Sequence, residues 1–395
     1  MNFAAHLHAA AARLGMSLPA PHHPEPLAAL DYAAELILKQ EALAAFWRDA
    51  GLPASADPLI PAPEPRGYRT TSKRRAAFGA RGPSLSFGAA PARGAPAVQP
   101  VLDRPEHGDV YAFVLGWLSR PPARPLASVL QWVIVRGTAP RLALILNVRA
   151  FDARIVRAAK QLAAVLPQAL PAVQAAFLYL DPSESDYYLE TRRPEGVLDF
   201  KRLFGSESLS VTVEDTRLRF PVTVFSQVNG AMLAPFVDAA RTLLAPEPGC
   251  ALLDLYCGYG LFSLTLGRGV QRVTGVDYDG PAIDAARRNA ENLARTNTRF
   301  VAGRIEAGFL SERVRTAAQP ELVLLDPPRQ GTAPGVVAAL AARNPKRVLH
   351  ICCGTDEIPR EVEAWSQAGY RIQRALPLDL FPGTAALETL LLLGR

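Results

Sequence analysis

The rhythm of hydrophobic and polar positions changes along the chain and divides it into three stretches. From Tyr32 to Trp47 apolar residues recur at helical spacing, and Gly51 follows as a stop. The segment Pro21–Pro26 separates this helix from a first short one, so residues 1–52 read as a helical extension. A Pro-rich linker, 53–65, comes next. From Tyr68 to Phe220 short β-rich runs (Val129–Arg136, Leu142–Val148, Ala175–Leu180, Leu209–Val213) accompany one clear helix, Arg154–Leu166. This mixture predicts an α+β domain over 53–220. After Asn229 a helix, Ala231–Leu244, leads into regular alternation. Strands are predicted at Ala251–Leu255, Arg272–Val276, Arg299–Val301, Glu321–Leu325, Arg347–Cys352, Arg371–Pro377 and Glu388–Leu393. Strand–helix alternation predicts an α/β, doubly wound, Rossmann-like sheet over 221–395, its last two strands forming an antiparallel hairpin at the edge. The Ala/Pro bias of Gly88–Ala97 predicts a flexible loop.

Composition narrows the partners. Of 395 residues, 49% are apolar and 20% charged, enough to bury a core. Runs such as Trp132–Val135 and Leu390–Leu393 fall far short of the ~18 residues of a membrane span. Met1–Met16 has no cationic segment ahead of an apolar stretch, so a cytoplasmic chain without a signal peptide is expected, and a monomer. The net charge is +6, and residues 1–220 hold 25 Lys and Arg against 20 Asp and Glu. The bias peaks in Arg66–Arg93, with seven cations (Arg66, Arg69, Lys73, Arg74, Arg75, Arg81, Arg93) and no acid, interleaved with Tyr68, Phe78 and Phe87. That pattern fits single-stranded RNA contact; an ordinary solvated face is the bland alternative, since 38 of the 43 cations are Arg. Trp117 and Trp132 read as core. The four cysteines, Cys250, Cys257, Cys352 and Cys353, have neither zinc-ligand spacing nor a disulfide pattern, so no metal is expected.

The sharpest local signal is Leu253-Asp254-Leu255-Tyr256-Cys257-Gly258-Tyr259-Gly260, a buried strand running into a Gly-x-Gly turn that opens a helix. One unit later Val276-Asp277 ends the second strand in an acid, placed to bond ribose hydroxyls. Together they follow the pattern of class I S-adenosyl-L-methionine (SAM) methyltransferases. The alternatives are a helix N-cap for Asp277 and a turn cap for Asp254. Three further segments reach strand ends of the same sheet: Asp326-Pro327-Pro328-Arg329-Gln330-Gly331, His350-Ile351-Cys352-Cys353-Gly354 and Phe381–Thr389. A cysteine and a carboxylate beside a methyl donor suit uracil C5, itself a poor nucleophile. A thiolate adding at C6 activates C5, and a base then removes the C5 proton so that the thiolate can leave. Arg329 and the amides after Cys353 would favour the thiolate. Cys353 is the preferred nucleophile and Cys352 the fallback; the bland readings are a buried core thiol, an ion pair for Glu388, and packing for His350. Asn229 also reads as a cap for the following helix.

In these motifs the C-terminal half resembles the RNA 5-methyluridine (uracil-C5) methyltransferase family. The matching segments are Phe225–Asn229, Asp254–Gly260, Val276-Asp277, Asp326–Gly331, Cys353 and Phe381–Glu388, while Tyr32–Lys39 with Tyr68–Arg75 weakly resembles the family's RNA-contacting part. The resemblance implies a class I SAM methyltransferase fold acting on transfer or ribosomal RNA. It implies that Gln227, Tyr256, Gly258, Asp277 and Asp326 contact SAM or line the pocket, that Cys353 is the nucleophile and that Glu388 is the base. The chain departs from the family at Gly354-Thr355, where Asn-Pro is common, and at Gly383 and Ala386, where histidines stand before the base. It departs again at Asp277, where Glu is usual, and at Arg304, where an acid is usual. Neither Gly383 nor Ala386 can orient Glu388. With no cysteine upstream of Tyr32, no iron–sulfur cluster is expected, nor a small β-barrel before residue 60. Two other readings stay open: a SAM methyltransferase on another substrate without covalent catalysis, and an RNA-binding protein with a degenerate site.

Overall fold

Two large sheets organise the chain, and the computed structural model describes residues 2–19, 23–53, 55–80, 82–87, 100–181 and 200–395. Helix α1 (Phe3–Arg13) starts on the Asn2 side chain, which accepts the Ala5 amide at 3.0 Å. Helix α2 (Tyr32–Asp49) starts on Asp31, which accepts the Ala33 and Ala34 amides. Both caps satisfy donors that a helix start leaves unpaired.

β1 (Thr71–Gly79), β2 (Gly82–Ser86), α3 (Pro105–Leu118), α4 (Arg124–Ala127), β3 (Leu130–Thr138), β4 (Arg141–Val148), α5 (Ala153–Ala169), β5 (Val173–Leu180) and β6 (Phe200–Gly205) follow. Their sheet has the order β2-β1-β3-β4-β5-β6, antiparallel except where α5 carries β4 across to β5. Alternation along the strands separates two cores. Val133, Val135, Leu144 and Leu146 pack with α3, α4 and α5, while Trp132, Ile134, Ile145 and Phe177 form a second cluster with Val222. Trp117 and Trp132 are both buried, as predicted.

β7 (Ser208–Val213) and β8 (Thr216–Pro221) pair with each other. Then come α6 (Leu233–Leu244), β9 (Ala251–Leu255), α7 (Leu261–Leu266), β10 (Arg272–Asp277), α8 (Gly280–Asn292), β11 (Thr298–Ala302), α9 (Ala307–Arg313), β12 (Glu321–Leu325), α10 (Val336–Ala342), β13 (Arg347–Cys352), α11 (Ile358–Gln367), β14 (Arg371–Leu378) and β15 (Glu388–Gly394). The sheet order is β11-β10-β9-β12-β13-β15-β14. The first five strands are parallel, and β15 runs antiparallel to both neighbours. β9 and β12 are buried along their whole length, as central strands covered on both faces must be. The chain order reverses between β9 and β12, so their carboxyl ends form the crevice where open α/β sheets bind ligands. The predicted hairpin is present, but β15 lies inside the sheet and β14 alone is the edge.

The chain forms two compact units, 1–65 with 210–220 and 231–395, and 66–209 with 221–230. These differ from the linear division at 52 and 220. The N-terminal helices join the first unit because Leu38, Leu43 and Phe46 share one core with Trp365, Leu387 and Leu391. The linker joins it too: Asp57 and Ile60 donate their amides to the carbonyls of Ala375 and Pro377, lying along the edge of β14. No helix among the described residues is long and apolar enough to cross a membrane.

Candidate active site

Asp277 ties together the first two turns of the crevice. Its Oδ2 accepts the Gly258 amide at 2.9 Å and its Oδ1 accepts the Asp279 amide at 2.9 Å. It does not cap α8, which begins after Asp279. The turn itself needs left-handed backbone: Tyr256 has φ 63°, Gly258 53° and Gly260 91°. For tyrosine this costs about 1–2 kcal/mol, a strain found most often where a ligand is gripped. A Cβ on Gly258 would meet no protein atom, whereas one on Gly260 would come within 3.0 Å of Leu264. The turn is locked from beneath by Asn289 of α8, buried, which donates to the Tyr259 carbonyl at 3.1 Å and pairs with both backbone groups of Arg219. Asp254 is buried in β9 and accepts the Ser263 hydroxyl at 2.5 Å, so it anchors α7; its Oδ1 has no hydrogen-bond partner among the described residues. Burial and the charge of Asp277 push its pKa up to about 7.

The same sheet edge carries the second constellation. Asp326 follows β12, Cys353 follows β13, and Glu388 opens the antiparallel β15. Cys352 pairs with Thr389 in the ladder, so Cys353 and Glu388 stand opposite each other one step further along. Alternation settles which thiol faces outward. Cys352 is buried in the core, against its fallback role, whereas Cys353 is half-buried and its thiol donates to the Pro327 carbonyl at 3.6 Å. Burial, then Glu388, Asp326 and Glu357, push the Cys353 thiol up, and Arg329 offsets only part of this. The expected thiolate-favouring effect of Arg329 is therefore outweighed in the free protein. Burial and Asp326 likewise raise Glu388 well above the ordinary carboxylate range, and its Oε1 has no hydrogen-bond partner among the described residues. Burial, Asp254 and Asp277 bring Asp326 to about 7. His350 packs as predicted: it is buried, and its Nδ1 accepts the Trp365 indole N–H at 3.0 Å.

Helix α11 fixes the Asp326–Gly331 turn from outside. Buried Glu361 accepts the Thr332 amide and hydroxyl, at 3.1 and 2.7 Å, and the Arg360 guanidinium donates to the Gln330 carbonyl at 2.5 Å. A Cβ on Gly331 (φ 70°) would collide with both side chains. Glu361 and Asn289 escaped the sequence reading, because nothing in their neighbourhood marks them. Glu357 escaped it too; its carboxylate lies against Gly354, and burial brings its pKa to about 7.

Gln227 belongs to the second unit, where its carbonyl lies 3.5 Å from the Thr70 hydroxyl. Within Tyr32–Lys39, Glu35 and Lys39 are fully buried in the first unit, while Ala33 and Ile37 are exposed. Tyr68 is core. Within the basic run Arg74 is buried against Asp103 at 2.6 Å and over the Tyr111 ring, while Lys73 and Arg75 lie over the Trp132 ring. Arg81, Arg93 and the loop 88–97 lie outside the described residues. Among the described residues no group of three or more His, Cys, Asp or Glu side chains is placed to hold a metal ion.

The profile of the tRNA (uracil-5-)-methyltransferase family matches residues 183–395. The chain belongs to this family. A 23S rRNA (uracil(1939)-C(5))-methyltransferase of Alkalilimnicola ehrlichii is 37% identical over 180 residues, 45% of this chain and 40% of that protein. An uncharacterized RNA methyltransferase of Halalkalibacterium halodurans is 28% identical over 191 residues, 48% of this chain and 41% of its own. The matches thus span about two fifths of these relatives' length. Among solved structures, the Pyrococcus abyssi tRNA (uracil-54, C5)-methyltransferase in complex with S-adenosyl-L-homocysteine aligns over 93% of this chain and 85% of that one, with a TM-score of 0.66 and 20% identity. The fold is that of the uracil-C5 methyltransferases: a Rossmann-like class I sheet in the first unit and an α+β domain in the second. The site residues fit SAM. Crowded acids at three adjoining strand ends suit a sulfonium cation, and Gly258 leaves open space beside the Asp277 carboxylate.

Proposed function

We propose that this chain methylates uridine at C5 in RNA, using SAM as methyl donor and a covalent Cys353 adduct. The observation that supports this most is the placement of Cys353 and Glu388 on facing positions of neighbouring strands, with Asp326 beside them. SAM, when bound, supplies an electrophilic methyl group next to the acids of β9, β10 and β12. Tyr256, Gly258, Asp277 and Asp326 hold it. Cys353 adds as thiolate to uracil C6, which makes C5 nucleophilic. After methylation at C5, the Glu388 carboxylate takes the C5 proton and the C6–S bond breaks, releasing 5-methyluridine and the Cys353 thiolate. The cations of the second unit, Arg66, Lys73 and Arg75 among them, serve phosphate contact.

Incubation of the protein with labelled SAM and bulk RNA from a strain lacking the gene, followed by nucleoside analysis, should give labelled 5-methyluridine. A label on another nucleoside, or none, contradicts the proposal. Retention of RNA binding without label is what the degenerate-site reading expects, and the raised thiol is the observation that favours it.

A further inference from the structure

The turn that delivers Glu388 is gripped by a buried ionic group that the reaction itself does not use. Residues 379–387 connect β14 to Glu388. Lys39, fully buried on α2, places its Nζ 2.7 Å from Asp379 Oδ1 and 2.8 Å from Glu35 Oε1, and donates to the Phe381 carbonyl at 3.3 Å. Glu35 in turn accepts the Gly383 amide at 2.6 Å. The Gly383 carbonyl accepts the Leu27 amide at 3.0 Å, and the Tyr32 hydroxyl donates to Asp379 Oδ2 at 3.1 Å. The first half of the turn, from Asp379 to Gly383, is thus fixed by residues 27–39. Burying three charges for stability alone is a poor bargain, because an apolar cluster of similar volume does as well or better. What such a group adds is a defined direction for the backbone it grips.

We propose that Glu35, Lys39 and Asp379 are positioning residues for Glu388. They fix the turn, and with it the carboxylate, in a chain whose Gly383 and Ala386 carry no side chain able to do so. The inference rests on Glu388 being the base. The effect is geometric: the charges acting on Glu388 are those of Asp326, Arg329 and Glu357, not those of the triad.

The base acts only after carbon–sulfur and carbon–methyl bonds have formed. A misplaced Glu388 therefore strands the methylated adduct on Cys353. The test compares Asp379→Asn and Lys39→Met with Glu388→Gln in the full chain, on bulk RNA from a strain lacking the gene. Turnover and the denaturant-resistant protein–RNA adduct are measured together, with melting curves to establish folding. Asp379→Asn keeps the side chain's shape and leaves Lys39 paired with Glu35, so it decides the case if Lys39→Met does not fold. The expected result is a kcat lowered by about tenfold to a hundredfold, KM for RNA nearly unchanged, adduct accumulating on unmodified uridine, and an unshifted pH profile. Turnover within about twofold of the parent, or loss of adduct and turnover in equal proportion, overturns the proposal. If the parent forms no adduct on 5-fluorouridine RNA, or Glu388→Gln accumulates none, the base assignment itself fails, and that failure appears in proteins with an intact triad.

Discussion

Replacing Asp254 by Asn should change how stability depends on pH. Asp254 is 1% exposed, and burial with the nearby Asp277 charge moves its pKa from 3.8 to about 7. Below the unfolded value both states are protonated and nothing is lost. Between the two values the folded state holds a proton that the unfolded state has released, so unfolding is favoured increasingly as pH rises. Above about 7 the penalty is complete. A shift of about three units corresponds to roughly 4 kcal/mol, and sharing of the shift among Asp254, Asp277 and Asp326 brings the expected effect to about 2–4 kcal/mol. Asn keeps an acceptor for Ser263 but leaves its amide nitrogen where Oδ1 now lacks a partner, which costs about 1–3 kcal/mol at every pH. Absolute stability is therefore a poor readout and the pH slope a good one. Buried His350, lowered to about 4, and His107, also lowered by burial, tilt stability the opposite way in acid, but equally in both proteins. Urea unfolding at intervals from about pH 5 to pH 8 spans about two of those three pH units and should show the parent losing about 1–3 kcal/mol more than the variant. Parallel curves would refute the claim that this acid is buried at the cost of stability.

Three further outcomes follow from the same contacts. Cys352→Ala should cost about 1 kcal/mol in denaturant and still form a 5-fluorouridine adduct, because only its packing is lost; adduct loss would move the chemistry to the wrong thiol. Arg74→Ala should destabilise the second unit by about 2–4 kcal/mol by leaving Asp103 with Arg69 at 3.9 Å, while Arg75→Glu should leave melting nearly unchanged and flatten the salt dependence of RNA binding; equal effects on melting would contradict their different burial. Asn289→Ala should remove three bonds to buried backbone, costing about 2–3 kcal/mol, and weaken SAM binding in calorimetry by loosening the turn at Tyr259. Undiminished SAM affinity would show that the turn needs no support from α8.

The C-terminal sheet was legible because its signals are local. Four apolar residues out of five in each of β9 and β12, glycines at the turns and acids at strand ends leave little choice of structure. Period-two alternation likewise puts the adjacent Cys352 and Cys353 on opposite faces. What escaped were contacts between residues far apart in sequence. Glu35 and Lys39 are an ordinary i, i+4 pair on a helix, and only Asp379, 340 residues beyond Lys39, makes them a buried group. Arg74 read as a surface cation because its partner Asp103 lies outside the basic run. The N-terminal helices were assigned to a separate segment because the sequence does not show which sheet their apolar face will meet. The direction of the Cys353 shift depends on burial and on Glu388, Asp326 and Glu357, which are distant in sequence or unmarked, whereas the sequence pointed to Arg329 and the amides after Cys353.

The most direct test of the account is peptide mapping of the species formed when the protein meets SAM and RNA containing 5-fluorouridine. Fluorine cannot leave as a cation, so elimination is blocked after methylation. The account predicts one nucleotide bearing both fluorine and a methyl group, attached to the peptide that carries Cys353, and its disappearance in Cys353→Ala but not in Cys352→Ala. Attachment through Cys352, or 5-methyluridine formed on ordinary RNA by the Cys353→Ala protein, would contradict it.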